Sequence, residues 1–194
     1  MIYINFELDG NNYYILPCKL DDIRDMKQIR DQCLEYIHDD KSYTYSEMVT
    51  WFLTKNVRYL SIFSGNQENM IGYFRLNNFT KNSCWVGMDL AKEYRGKGIA
   101  MATYNVVMSA LNSYGINEFY LSVLQSNQKA VKLYKALGFV NLRASEGVTI
   151  RSGKSIGDFT MIKKMDAYKE NISNDKKILI QNIIKTLNDR TKEI

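Results

Sequence analysis

Arg95-Gly96-Lys97-Gly98-Ile99-Ala100 stands between a β-rich run ending at Leu90 and a stretch of helical periodicity that carries Ile99, Ala102, Val106, Ala110 and Tyr114. Two glycines within three residues permit left-handed backbone and close approach of another group. The free N–H groups at a helix start attract anions, and Arg95 and Lys97 add charge beside them. By itself the loop reads equally as a turn that starts a helix and as a cradle for a pyrophosphate. It is a poor dinucleotide fingerprint, because Met101 replaces the third glycine and Glu118 opens the next strand instead of closing it. Lys97 is followed by Gly98 and not by Ser or Thr, so this is not a Walker loop.

About thirty residues on, after a β-rich run Glu118–Val123, comes Asn127-x-x-Ala130-x-x-Leu133-Tyr134-x-x-Leu137-Gly138-Phe139. Spacings of three and four put Asn127, Ala130, Tyr134 and Leu137 on one helix face. Gly138 stands where a left-handed helix cap is expected, with Phe139 packing back. An N-cap and a core tyrosine explain the segment as well as a ligand site does.

Outward from these two segments the pattern is a meander followed by strand-helix-strand units. A hairpin is expected from residues 2–8 and the strand from Tyr13, turning at Asp9-Gly10. Asp21 or Asp22 should cap a helix running through Ile23, Met26, Ile29, Leu34 and Ile37. Thr44-Tyr45-Ser46-Glu47 matches a capping box for a second helix to about Lys55. Strands are expected at Tyr59–Phe63, Met70–Leu76, Cys84–Leu90, Leu142–Ile150 and Phe159–Met165. The fold class is mixed α/β: a twisted, mostly antiparallel mixed sheet flanked by helices.

Of the 194 residues 45% are hydrophobic, enough for one domain, expected over 1–165. Residues 166–194 read as a helical appendage: Asn174–Arg190 has balanced charge and carries Ile178, Ile180, Ile183, Ile184 and Leu187, a face for packing or homodimerisation. The 26 basic residues exceed the 21 acidic ones by five, which suits an anionic cofactor, yet no Lys/Arg block marks a nucleic-acid arm. The apolar runs are too short for a membrane span and the start has no signal peptide, so a cytoplasmic protein is expected. Three widely spaced cysteines and a single histidine, His38, argue against a disulfide framework and against a metal site. Any chemistry must then run mainly without imidazole.

Taken together, Arg95-Gly96-Lys97-Gly98-Ile99-Ala100 and Asn127…Ala130…Leu133-Tyr134…Leu137-Gly138-Phe139, at this separation, resemble the GNAT family of N-acetyltransferases. The resemblance covers about residues 84–140. It implies acetyl-CoA as cofactor, with the pyrophosphate on the backbone of Arg95, Gly96, Lys97, Gly98, Ile99 and Ala100, and with Asn127 and Tyr134 also binding the cofactor, Tyr134 at its sulfur. It also implies that main-chain groups of Met88, Asp89 and Leu90 lie along the pantetheine arm, and that Tyr134 is the general acid. The family often has Pro in the loop where this chain has Lys92.

Chemistry sets its own demands. An alkylamine of pKa near 10 is neutral in about one molecule per thousand at pH 7, a deficit of about 4 kcal/mol, so a proton acceptor is needed. Asp89, Glu93 and an ordered water are the candidates. A phenol of pKa near 10 gives its proton to a thiolate of pKa near 8.5 at a cost of about 2 kcal/mol, so Tyr134 suits the acid role. For the acceptor, Tyr36, Tyr43 and Tyr45 offer flat surfaces, and Arg30, Arg58, Arg75, Arg143 and Arg151 could meet an anion. Ile29-Arg30-Asp31, Trp51-Phe52 and Gly157-Asp158-Phe159-Thr160-Met161 resemble members of the family that acetylate amino sugars on nucleotides. The expected substrate is therefore a small-molecule amine, first a nucleotide-linked amino sugar. Asp39, Asp40 and Glu47 favour instead a polyamine or aminoglycoside, and a protein N-terminus or a non-catalytic acyl-CoA-binding module stay open.

Overall fold

The computed structural model describes residues 4–65, 69–151 and 154–167. Its strands are β1 (Ile4–Leu8), β2 (Asn11–Pro17), β3 (Val57–Ser64), β4 (Asn69–Asn77), β5 (Ser83–Leu90), β6 (Glu118–Leu124), β7 (Val140–Arg151) and β8 (Lys154–Lys164). They form one sheet in the order β1-β2-β3-β4-β5-β6-β8-β7. Neighbours run antiparallel except β5 and β6, which are parallel. A parallel pair needs a crossover, and α3 (Ile99–Asn112) provides it. Helices α1 (Ile23–Asp31) and α2 (Tyr45–Thr54) lie between β2 and β3 in the chain, and α4 (Gln128–Ala136) lies between β6 and β7.

The central strands of the sheet are buried on both faces. Against one, Tyr104, Val107, Met108 and Leu111 of α3, Val131 of α4 and its C-cap Leu137 pack on Phe74, Cys84, Val86, Phe119 and Leu121. Against the other, Ile23, Met26 and Ile29 of α1 and Met48 of α2 pack on Tyr59, Met70 and Tyr73. Side chains alternate along each strand, so β5 sends Cys84 and Val86 to the α3 face and Trp85, Gly87 and Asp89 to the α1 face. Gly72 stands opposite Leu90, where a Cβ would come within 2.5 Å of the Leu90 side chain and 2.7 Å of the Asp89 carbonyl oxygen. Its lack of a side chain lets β5 close on β4.

Local signals explain most helix ends. Thr44 and Glu47 form the expected capping box at α2. At the end of α4, Gly138 has φ 88°, its N–H bonds the Lys135 carbonyl, and the Phe139 N–H bonds the Tyr134 carbonyl. That double bond is a Schellman cap, and it presses Phe139 onto Tyr134 with ring centroids 5.9 Å apart. The first helix departs from expectation. It ends at Asp31, its N-cap Asp22 makes no side-chain cap bond, and Leu34–Tyr36 is a separate 3-10 turn. Tertiary bonds stop it: the buried Arg30 guanidinium bonds the carbonyls of Asp39 and Lys41, and Arg95 takes the Gln32 carbonyl. The helix expected over 174–190 lies outside the described residues.

Candidate active site

The parallel pair is short. Ser83, Cys84 and Trp85 pair with Glu118, Phe119 and Tyr120, and the ladder ends there. Beyond it β5 stays on β4 as far as Leu90, and β6 stays on β8 as far as Leu124. The facing edges of Val86–Leu90 and Leu121–Leu124 therefore part, leaving their backbone groups unpaired with each other across a crevice at the carboxyl ends of two parallel strands. Met88, Asp89 and Leu90 line its β5 side.

Ahead of the crevice is the glycine loop. Gly96 and Gly98 both have φ 76°, in the left-handed region, and Gly98 is the N-cap of the fourteen-residue α3 without any side-chain cap bond. Gly96, Lys97 and Gly98 are exposed, Ile99 is buried and Ala100 half-buried. Uncapped N–H groups at the positive end of a helix, with bare glycine backbone in front, are a cradle for a phosphate. A Cβ at Gly96 would meet nothing within 4 Å, so the loop surface is open.

Arg95 does not join that surface through its side chain. Its guanidinium donates to the Leu90 carbonyl at 2.9 Å, the Gln32 carbonyl at 2.9 Å and Cys33 Sγ at 3.2 Å. It thus ties the end of β5 to the residues after α1, and its backbone N–H bonds the Lys92 carbonyl at 3.3 Å, so the groups open to an anion begin at the exposed Gly96. Lys97 Nζ lies over the Tyr94 ring, 5.7 Å from its centroid, within reach of the loop.

Tyr134, on α4, is buried, and Tyr104 of α3 donates a hydrogen bond to its oxygen at 3.4 Å. Tyr134 therefore keeps its own proton to give elsewhere. Burial raises its pKa, with the Asp89 charge adding to the effect and Arg75 opposing it, so the phenol stays protonated at neutral pH. Asn127 is the N-cap of α4: its side-chain oxygen accepts from the Ala130 N–H, and its amide donates to the Tyr36 carbonyl. It is a cap and a tether for the 33–41 loop.

Asp89 is buried beside Arg75, whose Nη1 is 3.5 Å from Asp89 Oδ2, and that oxygen makes no hydrogen bond. The guanidinium balances the carboxylate, which makes Asp89 a held charge more than a proton acceptor. Glu93 is exposed on a 3-10 turn and faces a shallow cleft with Asp25 and Gln28, whose walls contain no residue of β6 or α4. Two of the arginines expected to meet an anion, Arg30 and Arg75, are engaged within the protein.

One cluster was not legible in the sequence. Ser122 of β6, Asp158 of β8 and His38 of the loop after α1 meet on the α1 face, two residues past the point where β5 and β6 part. Ser122 Oγ donates to Asp158 Oδ2 at 2.5 Å, and His38 Nε2 lies 3.1 Å from Ser122 Oγ and 3.3 Å from Asp158 Oδ2. Asp158 Oδ1 is buried with no hydrogen-bond partner among the described residues. These residues are 36, 84 and 120 positions apart, so no local spacing announces them. They are not a nucleophilic triad, because there the carboxylate binds the imidazole nitrogen remote from the serine, and here Asp158 and Ser122 share Nε2.

Comparison with known proteins agrees with this geometry. Residues 23–139 match the model of the acetyltransferase (GNAT) family. The chain is 39% identical over 72 residues to a mouse thialysine N-epsilon-acetyltransferase, covering 34% of this chain and 42% of that protein. It is 30% identical over 102 residues to a spermidine N(1)-acetyltransferase of Vibrio cholerae, covering 51% of this chain and 57% of that one. The chain thus spans about half the length of the curated relatives it matches. Among solved structures, the spermidine N-acetyltransferase of Vibrio cholerae in complex with CoA and spermine superposes with a TM-score of 0.73 at 20% identity, over 80% of this chain and 97% of that one. A parted parallel pair, an uncapped helix behind a glycine loop and a family match running from α1 to Phe139 lead to one conclusion: the chain belongs to the GNAT family of acetyltransferases.

Proposed function

We propose that this protein transfers the acetyl group of acetyl-CoA to a primary amine of a small cationic molecule of the polyamine or lysine-analogue type. The observation that carries the reading is the crevice that opens beyond Trp85 and Tyr120, directly before the uncapped start of α3 and beside the buried Tyr134. The residues fit the cofactor: the backbone of Gly96–Ala100 would take the pyrophosphate, with Lys97 as counter-charge, and main-chain groups of Met88–Leu90 other than the Leu90 carbonyl, which Arg95 holds, would lie along the pantetheine arm. Bound there, acetyl-CoA supplies an activated acetyl thioester.

In this reading Tyr134 gives its proton to the departing sulfur. Burial of the phenol increases the cost of that transfer above the roughly 2 kcal/mol of the free groups, so the proton moves as the C–S bond breaks and not before. The choice of a cationic acceptor over a nucleotide-linked amino sugar rests on charge. Arg30 and Arg75 are engaged by the protein, Arg75 by Asp89, whereas Asp158 Oδ1 is a buried carboxylate oxygen on the α1 face without a hydrogen bond among the described residues. A purely binding role is less well served, because a binder needs no acid beside the thioester.

The test is thiol release from acetyl-CoA with spermidine, thialysine, an aminoglycoside, a nucleotide-linked amino sugar and a peptide. Spermidine or thialysine should exceed the nucleotide sugar at least tenfold in kcat/KM. The reverse order restores the amino-sugar reading, and no thiol release with any amine removes the catalytic one.

A further inference from the structure

Deprotonating the acceptor is the step for which the sequence supplies no evident residue, and Asp89 and Glu93 are poorly suited by position and pairing. We infer that His38, held by Asp158 and Ser122 at the end of β6, is the proton acceptor for the incoming ammonium, an assignment that rests on the acetyl-transfer reading above.

Three observations converge. First, position: Ser122 follows Tyr120 by two residues, so its side chain is on the same face of β6 and just inside the crevice. The His38 ring touches it at 3.1 Å. A second tether, from the Asn127 amide to the Tyr36 carbonyl, draws the same loop to the start of the helix that carries Tyr134. Acid and base candidates thus converge on one crevice from opposite faces of the sheet.

Second, protonation. Nε2 is the nitrogen that meets Asp158 Oδ2 and Ser122 Oγ. With its hydrogen on Nε2 directed to the carboxylate, the lone pair is on Nδ1, which has no partner among the described residues. The ring is about one-third exposed, so an amine can reach it, while the carboxylate behind it is nearly buried. Asp158 is fixed in turn by the close approach at Gly157, where a Cβ would come within 2.5 Å of the Ser145 carbonyl oxygen and 2.7 Å of the Gln125 amide.

Third, charge. Facing the ring are Asp158 from β8 and the Ser122 hydroxyl from β6; on its own loop are Tyr36, Asp39, Asp40 and Lys41. Asp39 is turned to Arg30 and Tyr43, and Lys41 to Glu47. Asp158 is then the counter-charge for an imidazolium. The step balances with one proton released: one ammonium N–H proton passes to Nδ1, the freed nitrogen pair forms the N–C bond, the C–S bond breaks, sulfur takes the Tyr134 proton, and the second N–H proton leaves to solvent as the nitrogen becomes an amide. His38 and Tyr134 return to their starting states by one net proton passing from the first to the second through solvent. Asp158 is a positioning residue in this scheme.

His38 is the only histidine in the chain, so its ring signals in a proton NMR spectrum are unambiguous. The wild-type protein with CoA is titrated with pH, with and without spermidine, or thialysine if thiol release ranks it higher. A bound cationic amine at Nδ1 should lower the His38 titration midpoint by about half a pH unit or more. His38→Gln should reduce kcat/KM about 10–100-fold, remove the acid limb of the pH profile near the His38 midpoint, and leave the acetyl-CoA Kd within twofold. A pin that merely anchors the loop would not respond to the amine. An unmoved His38 midpoint, or full kcat/KM in folded His38→Gln, overturns the assignment while acetyl transfer stands. If the wild type binds acetyl-CoA and acetylates no amine, the functional reading fails and this inference with it.

Discussion

Trp85 and Tyr120 are the last paired residues of β5 and β6, and their rings stack on the α1 face with centroids 5.8 Å apart and planes at 22°. The pair works as a pin. It holds the parallel strands together on the side of their N-terminal ends, and past it each strand follows its other neighbour, so the crevice opens at a defined residue.

Gly98→Val should raise the acetyl-CoA Kd at least tenfold, about 1.4 kcal/mol, because Gly98 has φ 76° and an added side chain would crowd the helix start and Leu8. Calorimetry on the folded variant checks this. Unchanged affinity would move the pyrophosphate elsewhere.

Tyr134→Phe preserves the rings packed on Tyr104 and Phe139 and deletes one hydroxyl. The expected result is a fall of roughly 10–1000-fold in kcat with little change in cofactor affinity. Wild-type turnover in this variant would make Tyr134 a core residue only.

Arg95→Ala separates two roles. Since the guanidinium bonds two carbonyls and a thiol, its loss should lower unfolding stability by about 1–3 kcal/mol and change acetyl-CoA affinity less than Gly98→Val does. Unaltered stability in a urea melt, with a large loss of affinity, would return the side chain to the phosphate site.

Glu47 accepts from the Thr44 backbone, Lys41 and the Thr44 hydroxyl, which brings its carboxyl down to about 2. A carboxylate lowered in the folded state stabilises fully above its unfolded pKa, near 4.3, and that share is lost as pH falls toward 2. Between pH 5 and 2, melts of Glu47→Gln should therefore fall less steeply than those of the wild type. Parallel curves would show that the capping box carries no such linkage.

Cys33 and Cys84 are buried, and burial raises both thiols to about 12. Cys18 is buried as well. A disulfide reagent at pH 7.5 should find almost no reactive thiol in the native protein and three after unfolding. Rapid reaction of one native thiol would mean that the Arg95–Cys33 contact opens readily.

Periodicity and capping chemistry in the sequence determined the helices around the glycine loop and Tyr134, the capping box of α2 and the Gly138 cap, because each depends on residues three or four apart. The glycine loop and the Tyr134 helix are each local signals, and only the resemblance to the GNAT family joined them as a pair. Tertiary structure decided what local spacing cannot encode. The first helix stops at Asp31 because Arg30 and Arg95 bind carbonyls brought from elsewhere in the chain. Arg95 turns inward for the same reason, although its neighbours mark it as a phosphate ligand. The parting of β5 from β6 depends on which partner each edge finds after Trp85 and Tyr120. His38, Ser122 and Asp158 meet only when a loop, β6 and β8 are laid side by side, since hydrogen bonds form between atoms near in space and a sequence lists only those near along the chain.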